Sequence, residues 1–192
     1  MIAELPRGPG AAGLALAAAW WLVWTATAVR RVVRRLVDVT RDPVDGCFSL
    51  AYLLFEVFLM VGGRDAQRAT LDNLLPALRP GGHLGIEASV FDVDQWLHYV
   101  DGAVRVSAMQ PGRVVLGTSL YDRSTNRLDY HDILIGADGV RLVPLSMYPI
   151  SPAELDRLAA AVGLTRVALW SDWHRTPYVP GAPSMIAVFR RD

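Results

Sequence analysis

Hydrophobic positions along this chain change period several times, and each change marks an element. Val44 to Leu50 is an apolar run of strand length, whereas from Asp65 to Leu78 the apolar residues Ala69, Leu71, Leu74, Leu75 and Leu78 recur near helical spacing. The helix is predicted to stop at Arg79-Pro80-Gly81-Gly82 and to drop at once into the strand Leu84-Gly85-Ile86-Glu87. Arg79 would suit the negative end of the helix dipole, Pro80 cannot continue the helix, and two glycines permit the positive φ of a tight reversal. A strand, helix, strand unit of this kind predicts a parallel pair, with a ligand beyond the carboxyl ends of its strands. Ser49 and Glu87 fall at those predicted ends.

Further along, Val104 to Met109, Val114 to Tyr121, Leu128 to Ile135 and Val140 to Met147 read as strands. They are separated by turns at Gln110-Pro111-Gly112, Asp122 to Asn126 and Ala137-Asp138-Gly139. Such a meander cannot join a parallel sheet through short turns, so residues 103–149 are expected as a small antiparallel sheet inserted within a single domain, 1–192. It reads equally as a lid or substrate wall and as an inert insertion or dimer surface. Ser151-Pro152-Ala153-Glu154 is a capping box with proline at the first helical position, and the helix runs through Leu155, Leu158, Ala159 and Val162 to Gly163. Arg166 to Trp170 and Met185 to Phe189 then predict an antiparallel closing pair around a loop holding Asp172, Trp173, His174, Pro177 and Tyr178.

Charge narrows the function. With 19 basic and 19 acidic residues the formal net charge is zero, and the one cationic cluster, Arg30, Arg31, Arg34 and Arg35, is local, which argues against a nucleic-acid partner. A single cysteine, Cys47, excludes an internal disulfide and makes a reducing compartment, the cytoplasm, the default; its apolar neighbours predict that it is buried. The four histidines, His83, His98, His131 and His174, show no metal-ligand spacing. Gly8 to Val29 carries no charge and precedes the arginine cluster, so a single-pass membrane anchor over residues 8–29 competes with a soluble reading of the same stretch.

From about residue 38 onward, the order of elements resembles the class I S-adenosylmethionine-dependent methyltransferases, in particular the small-molecule type with a β insertion after the fifth strand. Asp45-Gly46-Cys47-Phe48-Ser49-Leu50 looks like the family's fourth strand, Leu78-Arg79-Pro80-Gly81-Gly82 like the turn before strand five, and Trp173 to Tyr178 with Ser184 to Arg190 like its closing hairpin. The resemblance implies an α/β fold, a Rossmann-like mostly parallel sheet with an antiparallel closing hairpin and the inserted sheet. It implies S-adenosyl-L-methionine as cofactor and methyl transfer to a small-molecule nitrogen, oxygen or carbon nucleophile.

Glu4-Leu5-Pro6-Arg7-Gly8-Pro9-Gly10 resembles the acidic residue and glycine loop that open the nucleotide fold, so Glu4, Gly8 and Gly10 are cofactor candidates, with the helix from Ala11 to Ala19 presenting N–H groups to the ligand. Asp38, with Val39 beside it, resembles the residue contacting the adenine amino group, and Ser49 and Leu50 stand at the end of the fourth strand. The family's acidic residue for the ribose hydroxyls has no counterpart, because Trp20 to Val29 contains no carboxylate. Losing two such hydrogen bonds would weaken cofactor binding by ~30-fold or more. A non-catalytic binding or dimerisation relative is the alternative this departure raises. His98 and His131 are candidate bases, and Trp96, Tyr99 and Tyr148 are candidate walls of the acceptor pocket, where flat rings exclude water and can face a cationic sulfonium.

Overall fold

The computed structural model describes residues 37–91 and 102–192. The expected glycine-loop residues Glu4, Gly8 and Gly10, the helix 11–19, the charge-free stretch 8–29, and Trp96, His98 and Tyr99 lie outside them. Among the described residues no helix is long and apolar enough to cross a membrane.

The first sheet begins with β1 (Phe48–Leu53) and β2 (Leu78–Ser89), which pair in parallel with Leu50 opposite His83 and Leu53 opposite Ile86. Between them run a short helix, α1 (Val57–Met60), a longer one, α2 (Arg64–Leu74), and the 3₁₀ turn Leu75–Ala77. Helix α2 buries Gln67, Thr70, Leu71 and Leu74, a single stripe at helical spacing. Full burial of Leu71 and Leu74 contributes about 1.5–3 kcal/mol each.

The strand lies later than the sequence predicts. Gly46 has φ 143°, residues 43–47 stay outside the ladder, and pairing starts at Phe48 and runs to Leu53. Cys47 is consequently exposed rather than buried. The helix also ends earlier than expected, at Leu74, because Pro76 has no N–H to donate to the carbonyl a turn behind it. Arg79 is therefore in β2 and not in the last helical turn. The cation at this helix end is Arg191, which donates to the Leu75 carbonyl at 2.9 Å and to that of Leu78.

Arg79 to Gly82 form an irregularity inside β2, since Phe48 faces Leu78 while Leu50 already faces His83. Of the two glycines only Gly81 has a positive φ, 72°. Gly82 is needed for space: a Cβ there would lie 2.8 Å from the Arg79 carbonyl oxygen and 3.0 Å from that of Phe48, both backbone atoms. Gly82→Ala is expected to destabilise the fold by about 1–3 kcal/mol through this overpacking, with Gly81→Ala acting instead through backbone strain; urea unfolding of the two variants checks it.

The sheet continues through β7 (Leu164–Trp170) and β8 (Ser184–Arg191) in the order β1-β2-β8-β7, with β8 antiparallel to both neighbours. The parallel strands expected to make this sheet mostly parallel would come from residues outside the described ones; among the described ladders of this sheet only β1 with β2 is parallel. Helix α3 (Pro152–Ala161) starts at the expected capping box, with Ser151 Oγ accepting from the Glu154 N–H and the Glu154 carboxylate accepting from the Ser151 N–H. Phe58, Leu71, Leu84, Ile86, Leu155, Met185 and Phe189 form the common core.

A second, antiparallel sheet occupies the chain between β2 and α3: β3 (Val104–Gln110), β4 (Arg113–Asp122), β5 (Arg127–Gly136) and β6 (Gly139–Met147), in that order. Leu128, Met147, Tyr121, Tyr130 and Leu145 on one face join the common core. The seat is polar. Gln67, wholly buried, donates from Nε2 to the carbonyls of Tyr148 (2.9 Å) and Phe58 (3.3 Å) and accepts from Arg64 (2.7 Å). Arg64 donates to the Pro149 carbonyl at 2.7 Å and pairs with Glu154 at 3.3 Å, and Asn126 reaches Pro149 from the other side at 2.8 Å.

Candidate functional site

At the carboxyl end of β1 the chain makes an uncommon turn. After Leu54, Phe55 (φ 55°) and Glu56 (φ 63°) are both left-handed, a conformation that costs a non-glycine residue roughly 1–2 kcal/mol. Two consecutive left-handed residues persist only where surrounding structure over-determines them.

That over-determination comes from two carboxylates that cross between the parallel strand ends. Glu56 reaches over β2 and accepts from the Ser89 N–H (2.8 Å) and hydroxyl (2.6 Å). Glu87 reaches back and accepts from the Phe55 N–H at 3.1 Å. The other oxygen of Glu87 accepts from the Trp173 indole N–H, also at 3.1 Å, so the β7–β8 loop is tied to the same point. The backbone carbonyl of Glu56 meanwhile accepts the N–H of Leu59 and Met60 as α1 begins.

Trp173 is delivered by a loop ordered around Asp172. The Asp172 carboxylate accepts from the Thr176 hydroxyl (2.7 Å), the Thr176 N–H (3.1 Å) and the His174 N–H (2.9 Å), and these bonds, the Thr176 hydroxyl first, hold its carboxyl below the usual range. Arg175, itself left-handed at φ 66°, lies 5.5 Å from the ring centroid of Trp170.

The result is a concentration of negative charge flanked by aromatic rings. Among the described residues neither Glu56 nor Glu87 takes part in an ion pair. Phe55 is 77% exposed, and Trp173, whose indole bonds Glu87, is 58% exposed. No group of three or more His, Cys, Asp or Glu among the described residues could hold a metal ion. Carboxylates and exposed rings are what a cationic organic group would meet favourably.

Of the residues expected from sequence, Tyr148 is brought to this end: its N–H donates to the Leu59 carbonyl at 2.8 Å, and a Cβ on Gly63 would sit 3.7 Å from its ring. Ser49 and Leu50 are not, because β1 continues to Leu53 and leaves them in its amino-terminal half. Asp38 and Val39 belong to a turn that Asn73, near the carboxyl end of α2, holds by donating to the carbonyls of Val39 (2.9 Å) and Asp42 (2.8 Å). Since α2 runs back from the strand carboxyl ends to their amino ends, this turn lies at the far end of the helix from Glu56. The Asp38 carboxylate is engaged locally, and its carboxyl is lowered first by the Thr40 hydroxyl at 2.6 Å, with Arg41 3.0 Å away.

His131 is opposite Thr118 and Pro144 on β5, so it shares neither face nor surroundings with its neighbours Tyr130 and Asp132. Tyr130 points to the core side, which turns His131 to the other face of the sheet, away from the core. Glu56, Ser89 and Phe55 were missed by sequence reasoning. The available signal was the bulky pair Phe-Glu immediately after an apolar strand, where a glycine or polar turn residue would be ordinary.

No protein-family model and no curated sequence matches the chain, but solved structures do. The CcbJ methyltransferase of Streptomyces caelestis superposes with a TM-score of 0.72 at 23% identity, over 81% of this chain and 61% of that one. The fold is that of the class I S-adenosylmethionine-dependent methyltransferases. A methyltransferase of Clostridium acetobutylicum carries the same fold at only 6% identity, with a TM-score of 0.71 over 81% of this chain and 63% of its own. CalS10 of Micromonospora echinaspora, an amino pentose methyltransferase solved with S-adenosylmethionine bound, follows at 0.56 and 22% identity, over 81% and 63%. This chain thus spans 61 to 63% of the length of these methyltransferases.

Proposed function

We propose that the protein transfers the methyl group of S-adenosylmethionine to a nitrogen, oxygen or carbon nucleophile of a small molecule. The observation that carries this reading is the braced left-handed turn at Phe55 and Glu56, standing at the carboxyl ends of parallel strands in a methyltransferase fold, where open α/β sheets bind their ligands. CalS10 acts on an amino pentose and KedS8, of Streptoalloteichus, is a sugar N-methyltransferase, which favours an amino-sugar nitrogen as acceptor.

The groups present suit the cofactor's charged end. Glu56 and Glu87 offer negative charge to a sulfonium, and Phe55 and Trp173 offer ring faces that exclude water from it. When bound, the cofactor supplies an electrophilic methyl group with an uncharged thioether as leaving group. Little acid catalysis is then required of the protein, whose work is alignment and exclusion of water. On this reading Glu4, Gly8 and Gly10 hold the nucleotide end, while Tyr148, together with Trp96, His98 and Tyr99 downstream of β2, forms the acceptor side. The inserted sheet 103–149 belongs to the same domain and closes that side.

A non-catalytic relative is the second reading, favoured by the absence of any carboxylate between Trp20 and Val29. Calorimetric titration with S-adenosylmethionine and S-adenosylhomocysteine separates the two. Micromolar binding is expected on the first reading and justifies an acceptor screen among amino sugars; a folded chain that binds neither compound overturns the first reading and leaves the non-catalytic or partner-dependent relative.

A further inference from the structure

On its inner face the second sheet carries a polar group where the common core ends. Leu128 and Met147 face each other across β5 and β6 and are buried in that core; Tyr130 with Leu145 comes next, and then Asp132 with Val143. Asp132 thus stands about 13 Å along β5 from Leu128, on the side of the sheet that the core shares with the first sheet. The Tyr130 ring packs against the core, while its hydroxyl donates to Asp132 Oδ1 at 3.0 Å and lies 3.3 Å from the Ser107 hydroxyl of β3. Gly117 of β4 makes room for both hydroxyls: a Cβ there would lie 2.5 Å from the Tyr130 oxygen and 2.6 Å from that of Ser107.

The protons of these groups decide what they can bind. Tyr130 gives its one proton to Asp132, so at the second contact its oxygen accepts and the Ser107 hydroxyl donates. Both hydroxyl protons are then used inside the group, and only lone pairs remain to meet a ligand. Asp132 Oδ2 has no partner among the described residues, and Asp132 joins no ion pair there. The cation in its row, Arg105, is two strands away across Gly117, about 10 Å between backbones. A set of acceptors bearing one negative charge takes N–H donors of a cation and repels carboxylates and phosphates. Val143, which is exposed, and Leu145 flank it with apolar surface for the rest of such a molecule. We propose that Asp132, with the hydroxyls of Tyr130 and Ser107, binds the ammonium group of an amine-bearing small molecule. That amine is a methyl acceptor only on the methyl-transfer reading above, and its proton must leave before the nitrogen can take a methyl group; the site itself stands on its own geometry.

Amide chemical shifts of the 21.0 kDa chain test the site during titration with glucosamine and, in parallel, with its uncharged relative N-acetylglucosamine. Both titrations are run with and without excess S-adenosylhomocysteine. Glucosamine should shift the amides of Ser107, Gly117, Tyr130 and Asp132, and N-acetylglucosamine should not. Asp132→Asn should weaken glucosamine binding ~10-fold or more, and Tyr130→Phe by a smaller factor, because it removes a neutral hydroxyl and leaves the carboxylate. Gly117→Ala should imitate Tyr130→Phe, since its added methyl group displaces two side-chain hydroxyls and no backbone atom. Asp138→Asn, in the exposed turn between β5 and β6, removes the same charge elsewhere and should leave the affinity unchanged. Equal shifts by the two sugars, no shift at these amides in either condition, or glucosamine binding untouched by Asp132→Asn would overturn the assignment. Glucosamine binding by a chain that binds neither S-adenosylmethionine nor S-adenosylhomocysteine keeps the amine site and removes the methyl-transfer reading, whereas cofactor binding without amine-dependent shifts does the reverse.

Discussion

Gln67→Leu should lower the unfolding free energy by about 3 kcal/mol and the melting temperature by roughly 6–12 °C. Leucine fills nearly the same volume, so the loss is not one of packing. It comes from the carbonyl of Tyr148, which would lose its donor at 2.9 Å, and from Arg64, which would lose its acceptor at 2.7 Å, in a place where Gln67 is wholly buried. A buried polar group left without a partner keeps its full desolvation cost. Gln67→Glu should be no better, because a carboxylate can replace the bond to Arg64 but cannot donate to Tyr148 or Phe58. Chemical denaturation gives the free energies, and hydrogen exchange locates the effect. Opening should be concentrated around Tyr148 and the end of β6. A loss under about 1 kcal/mol would mean that water replaces the side chain and that the seat of the second sheet is not dry.

Glu87→Ala should weaken S-adenosylhomocysteine binding by roughly 10-fold while leaving global stability nearly unchanged. Its carboxylate is the single group that ties the Phe55 N–H and the Trp173 indole to the end of β2. Without it, the left-handed pair at Phe55 and Glu56 loses one of its two restraints, and relief of roughly 1–2 kcal/mol of strain drives the turn toward ordinary backbone. A ligand that needs the braced turn must then restore it, and the apparent affinity falls by the fraction still competent. Glu87→Gln is the informative companion: it removes the charge and keeps an acceptor for only one of the two donors, because the amide nitrogen cannot accept. If the brace is what matters, the glutamine variant should bind both compounds with the same loss, between that of the alanine variant and wild type; if attraction of the sulfonium matters, it should lose S-adenosylmethionine more than the uncharged S-adenosylhomocysteine. Equal binding by all three proteins would remove Glu87 from the site.

The two glutamates act on different links of the same chain of causes. Glu56 secures β1 to β2 through Ser89, and Glu87 secures β2 to β1 through Phe55, so each strand end is both donor and receiver. The conformation they impose is local, and under the proposed function it sets which backbone atoms face the cofactor. The second sheet works differently. It is seated by Gln67, Arg64 and Asn126 at the Tyr148-Pro149 corner, and the Tyr148 N–H ties that corner to Leu59 of α1.

The sequence by itself determined whatever depends on neighbours along the chain. Period-two apolar runs separated by Pro111-Gly112, Asn126 and Asp138-Gly139 mark the four strands of the second sheet to within a few residues, because those turns require the positive φ that Gly112, Asn126 and Gly139 adopt. Ser151, Pro152 and Glu154 mark the start of α3, since a capping box satisfies its donors within four residues. The α/β character and the closing pair β7 and β8 follow from the same local signals. Where two local signals compete, as Pro76 and Pro80 do for the end of α2, only the folded chain ranks them. Tertiary structure alone decided the site. The hydrogen bonds that build it join Phe55 to Glu87, Glu56 to Ser89 and Glu87 to Trp173, across 32, 33 and 86 positions. It also decided that His131 looks outward and Tyr130 inward, because strand alternation puts them on opposite faces without saying which face the core will cover.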